Sequence, residues 1–143
     1  MTSIPEKRLT AAVAESWIRD ALVLHPLGAQ LTVSGACMEP AIPEGSTITL
    51  TAPIAPPRAG DVVLLQTPNG LRLHRILIRF RGWMRTKGDQ GAYLDPSGSP
   101  HSIIAACPGS ESRAQRLGRV GLSAARLFLR FWRKKDVKVL DLR

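Results

Sequence analysis

The chain has 143 residues, 44% of them hydrophobic and 5% aromatic, with eleven prolines: enough for one real core, and too turn-rich for a helical bundle. Its formal net charge is +9, which calls for an acidic partner such as lipid head groups or nucleic acid, while two cysteines do not make a disulfide scaffold. No apolar run approaches the ~18–20 residues that cross a bilayer, and Glu15, Arg19 and Asp20 interrupt the only N-terminal stretch that could act as a secretory signal, so the expected location is the cytoplasm with free thiols.

In chain order, the first element is a helix over 9–25. Leu9, Val13, Trp17 and Ala21 recur at i, i+4 with Ala14, Ile18 and Leu22 beside them, and Pro26 and Gly28 end it. From Leu31 the period changes to two. Leu31-Thr32-Val33 is β-prone and runs into a Gly/Pro-punctuated corner that carries Cys37; Pro43-Glu44-Gly45 then turns the chain into the alternating strand Ser46 to Thr51. A proline-rich loop over Ala52 to Ala59 leads to Val62-Val63-Leu64-Leu65, apolar enough to be covered on both faces. Pro68-Asn69-Gly70 is a hairpin signal, Leu71 to Phe80 is the next strand, Trp83 to Thr86 another, and Ser102 to Ala106 the last.

Helical spacing returns over 112–135. Leu117, Val120, Ala124, Phe128 and Phe131 form one stripe, surrounded by Arg116, Arg119, Arg126, Arg130 and Arg133; from Arg113 onward ten Lys/Arg face two acids. Such a helix either docks on its own domain or lies in a membrane interface. Val137 to Leu142 reads as a terminal strand or tail. The expected organisation is a single domain over 1–143, mainly β within α+β: a β core over 31–107 between an N-terminal and a C-terminal helix.

Cys37, His74, Asp89 and Asp95 follow one another with the roles of a nucleophile, a base and two candidate orienting acids. A thiol needs an imidazole to take its proton, and the imidazole needs a carboxylate to hold its tautomer. Of the three histidines, His25 lies beside Pro26 and His101 follows Pro100, so His74 is the one placed inside a strand. Strict alternation puts it on a face with Ile76, Ile78 and Phe80, opposite Leu73, Arg75 and Leu77. No metal or other cofactor is expected, because no close-spaced ligand pair of the zinc type occurs. Cys107, next to Pro108, reads as a strand-end thiol.

These residues carry a resemblance. Ser34-Gly35-Ala36-Cys37-Met38-Glu39-Pro40 resembles the SGxSMxP box of type I signal peptidases and their LexA-like relatives, with Cys37 where they carry serine. Arg58-Ala59-Gly60-Asp61-Val62-Val63 is similar to their RGDVV strand entry. Leu73-His74-Arg75-Ile76 and Thr86-Lys87-Gly88-Asp89-Gln90 resemble the HRI and TKGDN boxes of the archaeal and endoplasmic-reticulum branch, which uses histidine where the bacterial branch uses lysine. Asp95 falls where that branch has a second acid.

The resemblance implies a small coiled antiparallel sheet or partial barrel, and cleavage of an extended peptide or protein precursor, often after a small residue. It makes Cys37 the nucleophile, His74 the general base, and Asp89 or Asp95 the orienting acid, with Ser34, Gly35 and Met38 around the substrate and oxyanion. The backbone N–H of Cys37 is one oxyanion donor. Three departures stand out. Cysteine in place of serine allows a papain-like ion pair with His74; Gly35 stands where relatives carry an oxyanion-hole serine; and the transmembrane anchor of signal peptidases has no counterpart, which leaves the basic C-terminal helix as the element for peripheral membrane contact. The competing readings are a peptide-binding module without turnover and a self-cleaving LexA-like regulator. The second is disfavoured, with nucleic-acid binding, because the Ala59-Gly60 pair follows Cys37 and one N-terminal helix is too little for a helix-turn-helix.

Overall fold

Where the sequence switches from a 3.6-residue to a two-residue period and back, the backbone switches from helix to six strands and back to helix. The structure, a computed structural model, describes residues 11–91, 93–98, 102–109 and 113–136. Helix α1 (Ala11–Leu24) presents Ile18 and Leu22 to the core, while Val13 and Trp17 face solvent, Trp17 at 62% exposure. Two apolar stripes lie side by side on this helix, and the fold buries the aliphatic one; the expected Leu9 start lies outside the described residues.

Strands β1 (Ala29–Thr32) and β2 (Thr47–Leu50) form an antiparallel pair with Leu31 opposite Ile48. Strands β3 (Val62–Thr67), β4 (Gly70–Phe80), β5 (Trp83–Lys87) and β6 (Ile103–Cys107) form a second antiparallel sheet in the order β5-β4-β3-β6. The Pro68-Asn69 turn closes the β3–β4 hairpin as its sequence predicts. The two sheets meet at one bridge, where Thr51 and Ala106 exchange both backbone hydrogen bonds, at 2.8 and 2.9 Å. The protein is therefore α+β, with two antiparallel sheets. Among the described residues the bridge joins the sheets without closing a barrel.

Strand β3 is apolar on both sides because each side has its own core. Val62, Leu64 and Leu73 pack with Leu22, Val33, Met38, Leu50 and Ile104, whereas Val63 and Leu65 pack with Ile76, Met84 and Ile103. The register of β4 against β5 slips between Ile76 and Ile78, so Ile76 faces Thr86 but Ile78 faces Arg85. This bulge at Leu77 transfers Ile78 and Phe80 to the outer face, where they are exposed, and breaks the single face expected for His74, Ile76, Ile78 and Phe80. His74 itself stands opposite Val63 and is buried.

Helix α2 (Arg113–Asp136) docks on the domain through its polar side. Arg116 Nη1 donates to Asp61 Oδ1 at 3.0 Å, Arg126 Nη1 donates to the Asp89 carbonyl at 3.1 Å, and Ser123 is buried between them in sequence. The expected apolar stripe does not face the domain: Leu117 and Phe128 are exposed and only Val120 is half-buried. The surface under the helix offers a carboxylate and a carbonyl, which arginines satisfy and leucines cannot. Val137 to Leu142 lies outside the described residues.

Candidate active site

The Cys37 corner is a loop from Val33 to Ser46 whose base is pinned by Val33 N–H to Ser46 O and Gly45 N–H to Val33 O, each 2.9 Å. Gly35 leaves the strand direction at φ +92°, a conformation L side chains rarely adopt. Its N–H donates to Glu44 Oε1 at 3.0 Å. The next residues form a helical turn, with Glu39 N–H on Ala36 O and Ile42 N–H on Met38 O. Met38 plugs this turn into the first core and is fully buried. That anchor leaves Cys37, one residue earlier, at the surface.

His74 is held from behind. Its Nδ1 lies 2.5 Å from Asp95 Oδ2, and the same carboxylate oxygen accepts the Thr86 hydroxyl at 2.6 Å. The 88–98 loop reaches this position by running back along β5: Asp95 N–H donates to Thr86 O at 2.9 Å, Arg85 Nη1 donates to Asp95 O at 2.9 Å, and Gly98 bridges Met84. Burial works to raise the Asp95 pKa. The hydrogen bonds from His74 and Thr86, with the charges of His74 and Arg72, outweigh it and hold the carboxyl below the ordinary range. A carboxylate on Nδ1 fixes that nitrogen as the donor and leaves Nε2 free to accept.

Nε2 meets the cysteine loop across Gly88. A Cβ on Gly88 would stand 3.3 Å from His74 Nε2, 3.2 Å from Cys37 Cβ and 2.7 Å from Cys37 O. The Cys37 loop and the His74 ring therefore flank one glycine, and Gln90 N–H ties the loop down on Cys37 O at 3.0 Å. In this arrangement the thiol donates to Leu73 O at 3.9 Å, with no hydrogen bond to His74. Desolvation raises the Cys37 pKa above the ordinary thiol value; its own backbone N–H and Arg72 pull down, and Asp95 and Asp89 push up. The residue is exposed, but its sulfur turns inward to the β4 backbone, which accounts for the desolvation. The thiol therefore points at a backbone carbonyl and is not hydrogen-bonded to the imidazole.

The two candidate acids separate. Asp95 meets His74, whereas Asp89 is buried in a two-pronged pair with Arg75, Nε to Oδ1 and Nη2 to Oδ2 at 2.8 Å each. Arg75 also donates to Gly60 O at 2.8 Å. Directly across the ladder from Arg75 is Lys87, fully buried, with Nζ on Gly88 O at 3.0 Å. Burial, then the charge of Arg126, lowers the Lys87 pKa, against an opposing pull from Asp89. Of the expected substrate and oxyanion residues, Ser34 is exposed on the loop, Gly35 N–H is engaged by Glu44, and the Met38 side chain belongs to the core. Met38 is therefore an anchor for the corner; full burial keeps its side chain from a bound peptide.

Thr86 and Gly88 do these jobs from within the Thr86–Gln90 box, where residue type alone does not mark them. Gly88→Ala is expected to destabilise the fold by about 1–3 kcal/mol and to abolish any chemistry that needs Cys37 and His74 together. A backbone oxygen at 2.7 Å cannot yield as a flexible side chain would. Thermal melting and Cys37 labelling check both effects.

A cavity of about 910 Å³ lies elsewhere, under the proline-rich 52–58 loop, lined among others by Ile48, Val62, Cys107 and Leu117. Neither Cys37, His74 nor Asp95 lines it. Cys37 and Cys107 are both free thiols. Among the described residues no group of three His, Cys, Asp or Glu could hold a metal ion. Compared with protein-family models, curated proteins and solved structures, the chain matches none.

Proposed function

We propose that the protein is a cysteine-type endopeptidase on a signal-peptidase-like scaffold, cleaving a peptide or protein precursor. The observation that carries the reading is the Asp95–His74 pair, with the free Nε2 aimed across Gly88 at the Cys37 loop. Nucleophile, base and orienting acid come from three separate segments, and a packed core has no need of that convergence.

The resting thiol is protonated, so its proton must leave as it attacks. Rotation about χ1 exchanges Leu73 O for Nε2. Sulfur then bonds to the scissile carbonyl carbon while its proton passes to Nε2. His74 returns that proton to the leaving amine as the C–N bond breaks, leaving a thioester. Water, deprotonated by the same nitrogen, hydrolyses the thioester to a carboxylate and restores the thiol. Asp95 stays ionised throughout and stabilises the transient imidazolium. The loop N–H groups around Cys37 supply the oxyanion donors in this scheme, since Gly35 N–H is committed to Glu44.

The thiol's bond to Leu73 O and its raised pKa favour a second reading, a module that binds peptide without cutting it. An alanine-terminated peptidyl chloromethyl ketone separates the two. For a peptidase, mass spectrometry finds Cys37 alkylated at pH 7.5, and His74→Ala slows the reaction by roughly 10²-fold, the usual value of a positioned base. Equal rates in the two proteins would overturn the peptidase reading and leave the binding module.

A further inference from the structure

Helix α2 is turned inside out relative to an ordinary surface helix. Its domain-facing side is Arg116, Arg119, Val120, Ser123 and Leu127, spaced by three and four residues and buried or half-buried. Its outer side carries Leu117, Leu122, Phe128 and Leu129 at 51%, 53%, 66% and 63% exposure. At 3.6 residues per turn these four bound an arc of about 140°. The other residues that fall within it between Ala114 and Leu129 are alanines and glycines, with no charged group. The helix as a whole has eight Lys/Arg against one acid, Asp136.

We propose that α2 seats the protein on an anionic lipid bilayer, its outer face inserted among the acyl chains and its net positive charge matched by the head groups. The two parts of the pattern call for different surroundings. Exposed leucine and phenylalanine side by side gain by leaving water, while a helix with eight Lys/Arg against one acid, on a chain of net charge +9, is drawn to an anionic surface. Phosphate head groups above hydrocarbon supply both at the depth of one helix radius. A second copy of α2 would cover the apolar arc only by bringing two strongly cationic helices together. Nucleic acid would answer the charge and leave the leucines in water. No described helix is long and apolar enough to cross a membrane, so the contact is in the plane of the interface. Arg116–Asp61 and Arg126–Asp89 O keep the domain attached above the helix while its outer face stays available. The inference stands on α2 alone and does not depend on the peptidase reading.

The test is flotation of the full chain with vesicles of phosphatidylcholine alone, or with about 30 mol% phosphatidylglycerol, at about 0.1 M and about 0.5 M NaCl. Binding is expected to the anionic vesicles only, falling roughly tenfold at the higher salt. Leu122→Glu with Phe128→Glu is expected to abolish it at either salt, and since both positions are exposed the variant should melt with the parent. Equal binding to neutral vesicles, no binding at all, or an unaffected double variant would each overturn the proposal. So would a dimer in size-exclusion chromatography that the double variant disperses while no vesicle binding is seen; that outcome assigns the face to a second copy.

Discussion

Asp89→Asn is expected to destabilise the fold by about 3–5 kcal/mol, the usual consequence of removing one partner from a buried ion pair. Asp89 is the anion at the centre of three cations. Arg75 grips it with two hydrogen bonds, Lys87 lies fully buried across the strand from Arg75, and Arg126 closes on its carbonyl. With the carboxylate gone, Arg75 loses its two-pronged partner, and Lys87 loses the negative charge that favours its protonated form while Arg126 still opposes it. Urea or thermal unfolding measures the loss. A variant that fails to fold is still informative, because Lys87→Met removes one of the stranded cations. The double variant Asp89→Asn with Lys87→Met should recover part of the stability, and the coupling should exceed about 1 kcal/mol. Additive losses would mean that Asp89 acts through its loop geometry and not through charge.

Much of this architecture is legible in the sequence because local chemistry dictates it. Pro68-Asn69-Gly70 forces a hairpin, and the doubly apolar Val62 to Leu65 forces a strand with a core on each side. The six described strands overlap the expected segments, with β1 starting two residues earlier, at Ala29, and ending before Val33. Two features escape pattern reading, and both are long-range. The bulge at Leu77 shifts the face of everything after it, and a bulge is set by how β5 fits β4, which no window of β4 contains. The roll of α2 is set by Asp61 and the Asp89 carbonyl on the surface beneath it, which the helix's own apolar stripe does not reveal. The site shows the same division. Residue types suffice to nominate Cys37, His74 and two acids. Choosing between the acids requires knowing that Arg75, one residue after His74 and on the opposite face, takes Asp89, leaving Asp95 on the His74 side. The protonated thiol is equally invisible from sequence, since it depends on which backbone carbonyl the sulfur meets.

Asp95→Asn is the complementary experiment, and its effect should fall mainly on chemistry, with a smaller loss of stability from the missing charge. An asparagine keeps the shape and can still accept from one neighbour. What it loses is the charge that holds Nδ1 as the donor and stabilises the imidazolium. His74 then adopts the other tautomer as readily, with Nε2 protonated and unable to take the Cys37 proton. Because the resting thiol is not pre-ionised, the reaction depends on that acceptance more than an ion-pair enzyme would. Labelling of Cys37 by the chloromethyl ketone should therefore fall roughly 10²–10⁴-fold at pH 7.5, with a loss of stability well below that expected of Asp89→Asn. The pH dependence supplies a second readout. The folded-state pKa of Asp95 lies below its unfolded value of about 3.9, so its contribution to stability is present above that value and is lost as pH falls through the depressed folded pKa. The parent should accordingly lose stability below about pH 4 more steeply than Asp95→Asn, which has no carboxyl there to titrate. Unchanged labelling in Asp95→Asn would break the chain from carboxylate to thiol, leaving His74 a buried, well-satisfied core residue.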